Sequence, residues 1–157
     1  MDTLDDEPLL TDADIDGRVA NMIGRACRSQ LWLLFLDERS VMLPTVMPCD
    51  DLPSPLTDEL ANAIAAMLRQ AVLGTPIESA VFVWERPGGP IAGERDRVSA
   101  ARLAWACADA GVPVRAQLIS HDFGVRAFGP EEYGAGLAEA SDGVFGGDEA
   151  GGAPQAG

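Results

Sequence analysis

One stretch, residues 78 to 120, constrains the fold of this chain more than any other. "ESAVFVWE" is an apolar run of strand type, "RPGGPIAG" is a loop, and "ERDRVSAARLAWACADAG" is an amphipathic helix closed by Gly111. "VPVRAQLIS" then alternates apolar and polar positions as a further strand. Val98, Leu103, Ala106 and Cys107 fall on the inward side of the helix. A strand that crosses a glycine-proline loop into a helix is the layout at which many α/β proteins hold ligands.

The flanking segments extend the pattern. From Thr11, apolar Ile15, Val19, Met22, Ile23 and Ala26 recur at helical spacing, with Thr11 or Asp12 as N-cap, and predict a helix to about Arg28 lying against the sheet. "QLWLLFLDERSVMLPTVM" reads as two β-type runs around a turn at Asp37 to Arg39. The first run is apolar enough to be buried on both faces, and Pro44 puts the second at a sheet edge. "PCDDLPSP" is a loop. "LTDELANAIAAMLRQAVLG" is a helix capped by Thr57 and ended by Gly74, with Leu60, Ile64, Met67, Leu68 and Ala71 inward. "HDFG" is a turn and "VRAF" a last short strand.

The element order α-β-β-α-β-α-β-β predicts an α/β (α+β) fold, a single mixed sheet with helices packed on its faces. The expected organisation is an acidic flexible tail at 1–11, one globular domain at 12–133, and a Gly/Ala-rich acidic tail at 134–157 too poor in apolar residues to fold.

Charge and composition narrow the function classes. A formal net charge of −14 and a pI near 4.2 repel phosphate backbones and anionic lipid, so general nucleic-acid binding is not expected. The longest apolar runs, "LWLLFL" and "AVFVW", are far short of a membrane span, and the acidic start "MDTLDDEPLL" is unlike a secretory signal. The expected location is the cytoplasm. Cys27, Cys49 and Cys107 are an odd number without a close pair, which argues against a disulfide framework or a cysteine-rich zinc site. All 11 basic residues are arginine, which together with abundant Ala and Gly matches GC-rich bacterial coding, actinobacterial in particular.

The candidate site lies between Trp84 and Arg97. Trp84, Arg86, Gly88, Gly89, Arg95, Asp96 and Arg97 surround a loop that opens a helix expected to begin near Asp96. Its free amides and positive end suit an anion or nucleotide; the same residues also suit a protein partner. Neither "GxGxxG" nor "GxxxxGK[ST]" is present, and Glu85, Glu94 and Asp96 offset the arginines. Elsewhere, His121 beside Asp122 has the makings of a general base but reads better as a turn residue with its ring in water. Cys107 reads as a buried small hydrophobe, and Cys49 as an exposed thiol blunted by the neighbouring aspartates. Trp32, Trp84 and Trp105 read as packing mass, with Trp84 placed to line a pocket with Arg86. The Asp50–Asp51 pair lacks the spaced ligands of a calcium loop. No complete catalytic set emerges, so the expectation is a non-enzymatic domain without a cofactor that binds a protein partner, self-association remaining open.

"WERPGG" followed by "DRVSAARLAWACADAGVPVRAQLI" resembles the RadC-like branch of the JAB/MPN metalloprotease fold, over residues 30 to 128. There a strand runs into His-x-His-Pro-Ser-Gly, then Ser-x-x-Asp, a helix and a strand hairpin. Pro87, Gly89, Arg102, Leu103 and Gly111 match, and Asp96 matches the aspartate once one residue is deleted. Trp84 and Arg86 stand where the family has its zinc-ligand histidines, and Gly93 stands at or near its serine. The resemblance therefore implies a fold that has lost its hydrolytic zinc site, which needs three protein ligands and a bound water. The "LWLLFLD…LP" opening and the "ERPG" loop also resemble an actinobacterial domain of unknown function, which implies no activity.

Overall fold

Two parallel strands joined through a helix form the centre of the molecule. The structure, a computed structural model, describes residues 7–134; the remaining parts of both expected tails, 1–6 and 135–157, lie outside them. The elements are α1 (Asp12–Met22), β1 (Gln30–Leu36), β2 (Met47–Cys49), α2 (Asp58–Gly74), β3 (Ser79–Glu85), α3 (Glu94–Ala110), β4 (Val114–His121) and β5 (Gly124–Ala127), in the expected order. They build one mixed five-stranded sheet with strand order β2-β1-β3-β4-β5. The β3–β4 pair is parallel, with Phe82 opposite Gln117, and the other neighbours are antiparallel.

Alternation along β1 and β3 sends apolar side chains to both faces. On one face Leu31, Leu33, Phe35 and Phe82 pack under α2 and α3 against Leu68, Leu103 and Cys107. On the other, Ile15 and Val19 of α1 cover Leu34, Val81, Val83 and Leu118. Fully burying one such side chain contributes about 1.5–3 kcal/mol. A sheet covered on both faces explains the nearly continuous apolar runs.

Helix α1 is capped by Thr11, whose hydroxyl accepts the Asp14 N–H while the Asp14 carboxylate accepts the Thr11 N–H. It stops at Met22, six residues short of the expected Arg28. Gly24 turns out of the helix with φ +69°, and the amides beyond it are taken by the sheet: Ala26 N–H donates to the His121 carbonyl, and those of Cys27 and Arg28 donate to Glu85. Ahead of α1, Pro8 bridges Val41 and Leu9 is buried.

The expected second run after β1 divides in two. The Asp37 carboxylate accepts the Arg39 and Val41 N–H groups in the turn, Met42 bridges Leu36, and the chain breaks at Pro44 before β2 resumes pairing at the sheet edge. In α2, Leu60, Ile64, Leu68 and Ala71 lean inward as expected, but Met67 is 40% exposed. Because α2 packs on α3 as well as on the sheet, small Ala61 and Ala65 take the buried positions instead. Helix α3 starts at Glu94 rather than Asp96 and ends at Gly111, whose φ of +77° suits glycine.

Candidate functional site

The loop between β3 and α3 is braced from within. Arg86, one residue past the strand, donates to the carbonyls of Gly89 (2.6 Å) and Ile91 (3.0 Å) and pairs with Asp96 at 3.1 Å. Asp96, in the first turn of α3, also accepts the Gly93 N–H at 2.8 Å. The positive end of the helix therefore already holds a carboxylate of its own chain. Gly88 has φ +124°, a conformation L side chains rarely adopt, and its carbonyl accepts the Asp122 N–H. Arg95 donates to the Ser54 carbonyl, and Arg97 to that of Ala92.

Four of the residues singled out in sequence border two separate clefts, and Gly88, Gly89 and Arg95 line neither. Trp84, Arg86 and Asp96 share a cleft of about 100 Å³ with Leu52, Pro53 and Ser99. Arg97 belongs to an open one of about 380 Å³, with Ile91, Arg126 and Glu132. Trp84 is half-buried, and its indole donates to Gln117 at 2.6 Å while Gln117 donates to the Ala100 carbonyl, so it serves chiefly as packing. It does line a cleft with Arg86, as expected.

Three features of the structure were not read from the sequence. Glu85, 4% exposed, accepts four hydrogen bonds: Cys27 and Arg28 N–H on Oε2, and the Gln30 amide and Trp32 indole on Oε1. Burial raises its pKa, but these four donors together outweigh burial and leave it lowered. Arg126 of β5 donates to the Pro90 carbonyl at 2.6 Å and grips Glu132 with two bonds of 2.8 and 2.7 Å. The hydrogen bonds between Arg126 and Glu132 raise the first pKa and lower the second. Finally, Ile91 and Phe123 are 85% and 77% exposed, on two loops tied together through Asp122 N–H and the Gly88 carbonyl.

His121 ends β4 with its ring buried rather than in water, and its Nδ1 accepts the Phe123 N–H at 3.2 Å. Burial, then Arg86 and Arg126, lower its pKa against a smaller opposing effect of Asp122. Cys107 is buried and its thiol is pushed up to about 12. Cys49 is half-buried rather than exposed; burial first and then Asp50 push its thiol up. Asp50 pairs with Arg28 at 3.1 Å. Trp105, expected as packing, is exposed on the outer side of α3. Among the described residues, no group of three or more His, Cys, Asp or Glu side chains is placed to hold a metal ion, and no helix is long and apolar enough to cross a membrane.

These features define the class of the molecule as an α+β domain with an internally hydrogen-bonded loop at the carboxyl end of its parallel strands. Neither protein-family models nor curated protein sequences match the chain.

Proposed function

We propose that this chain is a non-catalytic, cytoplasmic protein-interaction domain that docks a partner at the end of the sheet formed by residues 86–93 and the turn after β4. The exposure of Ile91 and Phe123 on cross-braced loops carries the reading. Large apolar side chains held rigidly in solvent lose little entropy on association and gain burial. The arginines around them are committed to carbonyls and to Asp96 and Glu132, which favours docking of a protein over capture of a free anion. Trp84 and Arg86, at the positions of the RadC-like zinc ligands, fit a scaffold retained without hydrolytic chemistry.

The double variant Ile91→Ser, Phe123→Ser is expected to lose most partner capture from a bacterial lysate while its melting temperature stays within about 2 °C of the parent, because both side chains are exposed. Undiminished capture would remove this surface from consideration. The alternative, a small anionic-ligand or nucleotide site on the Arg86 to Arg97 loop, predicts a thermal shift with phosphorylated metabolites that disappears in Arg97→Ala.

A further inference from the structure

The docking surface is tied to the only histidine in the chain, His121. The residue is 7% exposed, and its backbone carbonyl is held by Ala26 N–H. Because Nδ1 accepts the Phe123 N–H, that nitrogen carries no proton in this arrangement. The ring also meets Phe123 edge-on, with centroids 6.3 Å apart. The charged groups acting on it are Arg86 from the end of β3, Arg126 from β5 and Asp122 from the turn. Both arginines are anchored, to Asp96 and Glu132 respectively.

We propose that protonation of His121 releases the Asp122–Phe123 turn and makes docking at this end of the sheet proton-dependent. The proposal rests on the docking surface described above. One proton from solvent turns Nδ1 from acceptor to donor, so it then faces the donor N–H of Phe123. It also places a third positive charge beside Arg86 and Arg126, while the one carboxylate in the turn, Asp122, is exposed to solvent. The His121 backbone is held by Ala26 N–H while Asp122 and Phe123 are exposed, so the turn is the part that moves. Asp122 N–H holds the Gly88 carbonyl and Arg126 holds that of Pro90, so movement of the turn is passed to the loop that carries Ile91.

The test is an NMR titration of the full 157-residue chain between about pH 7.5 and 5, the range in which histidine changes charge. The imidazole signals report protonation without ambiguity, and the Phe123 amide reports the turn. The Phe123 resonance is expected to move with the midpoint of the ring, and its exchange protection factor to fall about fivefold as the hydrogen bond is lost. His121→Asn keeps an acceptor at the Nδ1 position without the titration, and should hold the Phe123 amide constant. A Phe123 amide that ignores a titrating ring, a ring that stays neutral to the acid limit, or an unchanged pH response in His121→Asn would each overturn the proposal. Capture by the parent at neutral pH is measured separately with the Ile91 and Phe123 variants. Its failure would overturn the docking surface, and the docking claim made here with it, while the titration still decides whether the turn is released.

Discussion

Replacing Glu85 with Gln removes one negative charge and one acceptor oxygen at a position 4% exposed, with almost no change of shape. The carboxylate has two donors on each oxygen, at 2.7 and 3.2 Å on Oε2 and at 2.8 Å twice on Oε1. An amide NH₂ on the Oε2 side would face two backbone N–H groups that cannot turn away. On the Oε1 side it would face the Gln30 amide, which can flip and offer its oxygen, and the Trp32 indole, which only donates. The cheaper arrangement therefore orphans Trp32 alone and weakens the bonds that remain. A hydrogen bond to a charged group contributes about 1.5–3 kcal/mol, so the expected cost is about 2–4 kcal/mol, a large part of a typical 5–15 kcal/mol stability. That corresponds to a melting temperature lower by about 10 °C. Urea unfolding followed by far-UV circular dichroism measures the loss, and tryptophan fluorescence should report the altered Trp32 in the folded state. A cost below about 1 kcal/mol would refute the claim that this carboxylate fastens residues 27–32 to the sheet.

Further predictions follow from the same geometry. Native protein treated with a thiol reagent should modify exposed Cys27 first and Cys49 more slowly. Cys107, buried with its thiol pushed up to about 12, should react only on unfolding, and three fast thiols would contradict its packing. Gly111→Ala should cost about 1–2 kcal/mol, because φ is +77° and the added Cβ would stand 3.0 Å from Arg69 Nη1; Gly89→Ala, with open space and no positive φ, should be nearly neutral in the same urea assay. Lowered folded-state pKa values mean that the unfolded chain takes up protons first. Stability should therefore fall as pH drops below 6.5 through the His121 value, and again below 4.5 through those of Glu85 and Glu132. Urea midpoints across pH measure both steps, and His121→Asn should erase the first.

The layers of the fold were legible because apolar spacing, Thr57 and Gly111 state where each helix begins or ends and which side is buried. The errors have physical causes. The periodic Ile23 and Ala26 extended the first helix on paper, but Gly24 could leave it and the amides beyond found acceptors in β3 and β4, which lie 57 to 95 positions away in sequence. Met67 is on the correct helix yet at the margin of a stripe that a second helix narrows. The split of the second β-type run depended on how Pro44 and the Asp37 turn divide pairing between β1 and the segment around Pro8.

The candidate site was harder to read because adjacent residues of a strand face opposite sides. Trp84 points into the α3 side, while Glu85, which looked like a counter-charge for the arginines, turns to the α1 side and binds residues 27–32. The arginine-rich loop looked receptive because its partners are mostly carbonyls, which composition does not register. A signal was nevertheless available in "PGGPIAG" and "HDFG": an apolar residue fixed beside glycines in a tight connection has no length of chain with which to reach the core. Ile91 and Phe123 are such residues, and the hydrogen bond from Asp122 to Gly88 ties the two connections together. The arginines of this end are held within the chain by carbonyls, Asp96 and Glu132, so on the proposed reading the free energy of docking comes from covering those two side chains, which a protein surface does more fully than a small anion would.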